Sequence, residues 1–97
     1  MKKIYFTITG TNYRHGHSFL EPGMEVQLVK EPDNPVDKEA IKVLYGPVGH
    51  IGYVAASYKT MRGESWSCGR IYDRIGKKSK GVVKVVLDDG VICKLKE

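Results

Sequence analysis

Long apolar runs are missing from these 97 residues, and so are most of the parts from which catalytic and metal sites are built. The apolar stretch after Met1-Lys2-Lys3 is broken by Thr7, Thr9 and Gly10, too early for the core of a signal peptide. No run is long enough for a membrane-spanning helix. The chain is therefore predicted to be cytoplasmic, with no membrane partner. Cysteine is scarce: Cys68 and Cys93 stand far apart with no CxxC pairing, which fits reduced thiols better than a disulfide framework. No P-loop, GxGxxG run or Ser-His-Asp order is present. His15-Gly16-His17 offers two metal ligands from one loop edge, but zinc needs a third and a fourth, so solvent-exposed loop histidines are the simpler reading. A metal-dependent hydrolase ranks below any binding function. We expect no catalytic activity and no cofactor.

The length allows one domain, residues 1–97, with a single small core. A net charge of +5 favours polyanionic partners without naming one, because scattered Lys and Arg are usually a solvated surface. Arg14, His15, His17, Lys59, Arg62, Arg70 and Arg74 are the candidates for phosphate contacts. Lys77, Lys78 and Lys80 are assigned to an exposed loop.

Alternation by two marks most of the chain as strand. Ile4, Phe6 and Ile8 alternate with Tyr5, Thr7 and Thr9; Gly10 ends that strand and opens a polar loop to Gly16, from which Phe19 and Leu20 return to the core. Met24, Val26 and Leu28 form a second strand, Ala40 to Tyr45 a third, and His50 to Val54 a fourth after the turn Gly46-Pro47-Val48-Gly49. Ala55 to Met61 contains no helix breaker and is predicted to make about two helical turns. Trp66, Cys68, Arg70 and Tyr72 share a parity, which suggests one face of a further strand. Val82 to Leu87 and Val91 to Leu95 flank Asp88-Asp89-Gly90, a strong hairpin signal. The sum is a mainly β fold, a small OB- or SH3-like barrel of about six strands with one short helix.

Between the second and third strands lies Glu31-Pro32-Asp33-Asn34-Pro35-Val36-Asp37. Two prolines fix φ, and the short polar side chains fold back on their own backbone, so this is a rigid corner that holds Asn34 and Asp37 against the sheet. That corner, together with Ala40-Ile41-Lys42-Val43, the glycine-flanked loop Gly-Thr-Asn-Tyr-Arg-His-Gly and the strand His50-Ile51-Gly52-Tyr53-Val54, resembles the HIRAN domain family, small β-barrel modules found alone or joined to ATPase segments. The ATPase and RING segments of longer members are absent from this sequence, so their activities are not carried over.

The resemblance implies nucleic-acid binding: capture of single-stranded DNA at a free 3′-hydroxyl, with bases stacked on tyrosines and the hydroxyl read by an aspartate. On that implication Tyr13 is a stacking platform, Asp37 is the hydroxyl reader, Asn34 is its corner partner, and Asn12, Arg14, Tyr53 and Lys59 surround the site. The pattern is not complete. Val36 stands where a second tyrosine precedes the aspartate, Asn12 where a basic residue precedes Tyr13, and Ala55 and Ala56 where lysines follow the fourth strand. From the residues alone, Asp37 also reads as a turn cap on the amides of Lys38 or Glu39, and Tyr53 equally as core. The alternative function is a protein-interaction module whose groove takes a peptide or a DNA-repair or replication partner.

Overall fold

In β1 (Tyr5–Thr9) the alternation turns Phe6 and Ile8 inward, and the same period sends Val26 and Leu28 of β2 (Glu25–Lys30) and Ile41 and Val43 of β3 (Ile41–Tyr45) to the same interior. The computed structural model describes residues 3–96, with the backbone alone at Tyr13. β4 (Gly49–Val54), β5 (Lys78–Leu87) and β6 (Gly90–Lys96) complete a closed antiparallel barrel in the order β1-β4-β3-β2-β5-β6, with β6 pairing back to β1. Closure leaves none of the six strands with an open edge. The six strands predicted outside Trp66–Tyr72 are present, and the Asp88-Asp89 turn joins β5 to β6. Leu20 is buried and Phe19 packs against the core, as the loop's return requires.

Phe6 is the largest side chain fully inside the barrel, and the wall opposite it has to give way. A Cβ on Gly81 of β5 would lie 2.6 Å from the Phe6 ring. Gly52 of β4 answers a similar need at a different place: a Cβ there would lie 2.6 Å from the Thr9 carbonyl oxygen, a backbone atom that cannot swing away.

Three local assignments are corrected. Ala55 to Met61 is not a helix, because the Ala55 amide donates to Thr7 O (2.8 Å) and its carbonyl accepts from Cys68 N (3.0 Å), so that backbone is already committed to its neighbours. Only one turn follows, with Thr60 N and Met61 N both on Ser57 O. The helix is instead α1 (Cys68–Arg74), where a strand face had been suggested. Ser67 caps it by accepting from Arg70 N, and Cys68 and Ile71 sink into the core, with Tyr72 and Ile75 packed beside them at helical spacing. Lys78 and Lys80 belong to β5 rather than to a loop. Both cysteines are free and buried, and burial pushes the Cys68 thiol up to about 11 and that of Cys93 to about 12.

The connection after β4 is tied down by a buried polar cluster. Ser65 Oγ donates to Arg62 O (2.7 Å) and lies 2.7 Å from Thr7 Oγ1, which accepts from Arg62 N (3.0 Å). The contact between Phe6 and Gly81 is testable. Gly81→Ala should lower the stability read from urea midpoints by about 1–3 kcal/mol, the usual range for overpacking. The same substitution in a Phe6→Leu background should cost less than half as much.

Candidate nucleic-acid interface

Glu31, at the end of β2, gathers the corner. Its Oε1 accepts from Asn34 Nδ2 at 2.7 Å and from the Tyr53 hydroxyl at 2.9 Å, while Oε2 lies 3.9 Å from Lys42 Nζ. Asn34 in turn accepts the amides of Val36 and Asp37 on Oδ1, both at 2.9 Å, so donors and acceptors agree on one orientation of its amide group. Asp37 accepts the Glu39 amide on Oδ1 at 2.9 Å, and its Oδ2 has no partner among the described residues. The turn-cap reading of Asp37 therefore holds for one oxygen and leaves the other available.

Four segments enclose a groove of about 480 Å³ beside this corner. Asn34, Val36, Asp37 and Ala40 form one side; Thr9, Tyr53 and Val54 come from β1 and β4; Ala56, Ser57 and Thr60 from the following turn; and Cys68 from the start of α1. Among the described residues its lining contains no Lys or Arg, and it is largely apolar. Gly52 is what allows this assembly, because β1 passes over it at Thr9 while the next residue, Tyr53, turns to the groove.

The structure unites Asn34, Asp37 and Tyr53 in this groove. Tyr53 is half-buried, held by its hydroxyl on Glu31 and by the edge of His50 (ring centroids 4.8 Å apart), with the Arg14 guanidinium 6.0 Å above its ring. Lys59 is exposed in the turn that supplies Ser57 and Thr60. Asn12 is exposed on a different face and lines a second depression with His17 and Asp88. The side chain of Tyr13 lies outside the described residues; its backbone closes the short 3-10 turn Thr11–Tyr13.

Other expectations for the basic residues change. His17 is buried, not exposed: Nε2 lies 2.6 Å from Leu87 O and Nδ1 lies 2.6 Å from Thr11 Oγ1. The carbonyl can only accept, so Nε2 holds the proton, and in the neutral ring Nδ1 takes the Thr11 hydroxyl hydrogen. His17 thus pins the Tyr13 loop to the end of β5. Arg62 pairs with Asp89 (2.6 Å) and Arg70 stacks on Trp66 (3.8 Å), so both are engaged within the chain. Among the described residues no three His, Cys, Asp or Glu side chains are grouped to hold a metal ion.

Two features of the site escaped sequence reading. Glu31 is the hub, signalled only by its place at the head of the proline corner. Tyr58, which follows the lining residue Ser57 in the chain, is 81% exposed, and Val36 of the lining is 94% exposed. Two large apolar side chains left in water, one in the lining and one next to it in the chain, are the signal that only the structure supplies.

Comparison with known proteins adds the following. The HIRAN domain family model matches residues 1–63. The crystal structure of the HIRAN domain of human HLTF superposes with a TM-score of 0.62 at 20% identity, covering 96% of this chain and 74% of that one. A protein from Lactobacillus plantarum, solved by a structural genomics consortium, gives 0.61 at 22% identity, covering 99% and 98%. At these identities the likeness speaks for the fold. No curated protein matches the chain.

The corner's electrostatics predict its response to acid. The hydrogen bond from Asn34, then that from Tyr53 and the charge of Lys42, hold the Glu31 carboxyl below its ordinary 4.5. Burial, followed by the charge of Arg14, lowers His50 from 6.5. Both groups have a folded value below the unfolded one, so the stability they contribute is present above the unfolded value and is lost as pH falls. Urea midpoints should be flat between about pH 6.5 and 8, fall below that range, and fall more steeply below about pH 4.5. Glu31→Ala should cost about 1.5–3 kcal/mol at pH 7, as for loss of hydrogen bonds to a charged group, and should flatten the lower limb.

Proposed function

We propose a function from one premise: the chain belongs to the HIRAN domain family, known as a nucleic-acid-binding module. On this reading it binds single-stranded nucleic acid, DNA above all, and seats a free 3′-hydroxyl end in the groove beside the proline corner. It makes and breaks no bond.

The observation that carries the reading is Asp37. Its Oδ1 is spent on the Glu39 amide while, among the described residues, Oδ2 has no partner and the groove no lining cation. A free carboxylate oxygen repels a phosphate but accepts a hydrogen bond from a hydroxyl. A groove with a free carboxylate oxygen suits a terminus that ends in OH, with the phosphates left outside near Arg14, Lys42 and Lys59. Tyr53 serves as a stacking platform, its ring held in advance by Glu31 and His50. Asn34 positions the corner, because its carbonyl oxygen is already shared by two amides. Tyr13 is proposed as the second ring from its place in the loop that His17 anchors.

A second reading has its own support. The largely apolar lining, with Val36 exposed in it, also suits an extended peptide of a protein partner such as a repair or replication factor. A cytoplasmic role at DNA ends is compatible with both.

Fluorescence anisotropy with 5′-labelled oligo-dT separates them. A 3′-OH oligonucleotide should bind about tenfold or more tighter than its 3′-phosphate twin, the equivalent of about 1.5–3 kcal/mol for a hydrogen bond to a charged group. Asp37→Asn keeps the Glu39 cap and should abolish that preference, and Tyr53→Ala should cost about 1–3 kcal/mol of binding. Equal affinity for the two ends would remove the end-capture reading, and no binding at low salt would leave the peptide.

A further inference from the structure

Strand register extends the outer surface of the barrel well past the corner groove. Cross-strand partners run Thr9, Tyr53, Lys42, Val29, Lys78 across β1, β4, β3, β2 and β5. A second row beside it runs His50, Leu44, Gln27, Lys80. Along the two rows, over β3, β2 and β5, lies a depression of about 430 Å³ that shares no lining residue with the corner groove. Val29 and Leu44 line it, half-exposed and outside the core cluster, while Lys78 and Lys80 also line it.

The charges on this face do not cancel. Lys78 has no acidic partner among the described residues. Lys80 shares the single carboxylate of Glu25 with Lys96, at 3.6 Å against 2.6 Å. Lys42 lies 3.9 Å from a Glu31 carboxylate that Asn34 and Tyr53 already occupy. Among the described residues the corner groove has an acceptor and no cation, while this second groove has cations around an aliphatic floor; in the first row Lys42 stands between Tyr53 of the one and Val29 of the other.

We infer that the outer face of β2, β3 and β5 is a second subsite for the same single strand, with Lys78 and Lys80 taking backbone phosphates and Val29 and Leu44 lying under a sugar or base. The inference rests on the corner groove holding the strand's 3′ end. Three strand spacings separate Tyr53 from Lys78, about 14 Å. At the rise of a stacked strand, about 3.4 Å per nucleotide, that distance takes about four nucleotides. A dinucleotide therefore fills the corner alone, and a longer strand crosses the barrel wall at right angles to its β-strands.

The test compares 5′-labelled dT2 and dT8, both with a free 3′-OH, at several salt concentrations. The wild type should bind dT8 at least tenfold tighter than dT2 and with a steeper dependence on salt. The double variant Lys78→Ala/Lys80→Ala should bind dT2 as the wild type does, lose the gain for dT8, and show a log affinity against log salt slope shallower by about 1.4, two contacts at about 0.7 each. Lys84→Glu, which changes the net charge equally at an exposed position outside the depression, should leave the gain in place; circular dichroism and urea midpoints check that each variant folds. Equal affinity for dT2 and dT8, or a double variant that keeps the full gain, would overturn the second subsite while leaving end capture standing. Failure of the wild type to bind either oligonucleotide at low salt would overturn both.

Discussion

Closing six strands around so few residues leaves an interior with room for one large ring, and that steric limit governs much of what surrounds it. Phe6 takes the room, Gly81 yields it, and Gly52 lets β1 pass over β4 at Thr9. With the inside filled by Phe, Ile, Val and Leu, every group that can meet a ligand sits on the outer wall or in the connections. The ligand chemistry is thus a property of corners and rims.

Among those connections the proline corner is the stiffest, because its polar groups bond one another first. Glu31 holds Asn34 and Tyr53 through one oxygen, Asn34 holds two amides, and Asp37 caps a third. The residual capacity after this internal pairing is small and directional: one carboxylate oxygen and one tyrosine face. A loop arranged in this way reaches its binding geometry before the ligand arrives and loses little entropy on binding.

Much of this was legible in the chain, for physical reasons that differ by element. The strands announced themselves through apolar residues at every second position, as Ile4, Phe6 and Ile8 illustrate, even though Thr7 on the other face of β1 is buried as well. The corner was legible because proline and Asx chemistry is local. The helix was not. Ala55 to Met61 has the better helical propensity, but tertiary hydrogen bonds to Thr7 and Cys68 outweigh a preference worth tenths of a kcal/mol per residue. In the structure Cys68, Ile71, Tyr72 and Ile75 sit at helical spacing behind the cap at Ser67, but the parity of Trp66, Cys68, Arg70 and Tyr72 also satisfies a period of two. His17 illustrates the remaining gap: its partner Leu87 is seventy positions away, and no local pattern encodes that bond.

The pairing of β5 and β6 with strands from the first part of the chain separates a recognisable motif from a unit that can fold. Residues 1–63, which the family model matches, contain β1 to β4, a four-stranded sheet whose outer members are β1 and β2. Both of those strands are covered only by the terminal hairpin, β2 by β5 and β1 by β6. On the ribosome the motif is therefore complete in sequence while two β edges still lack partners, and the proline corner acquires a stable scaffold only when β5 and β6 are added.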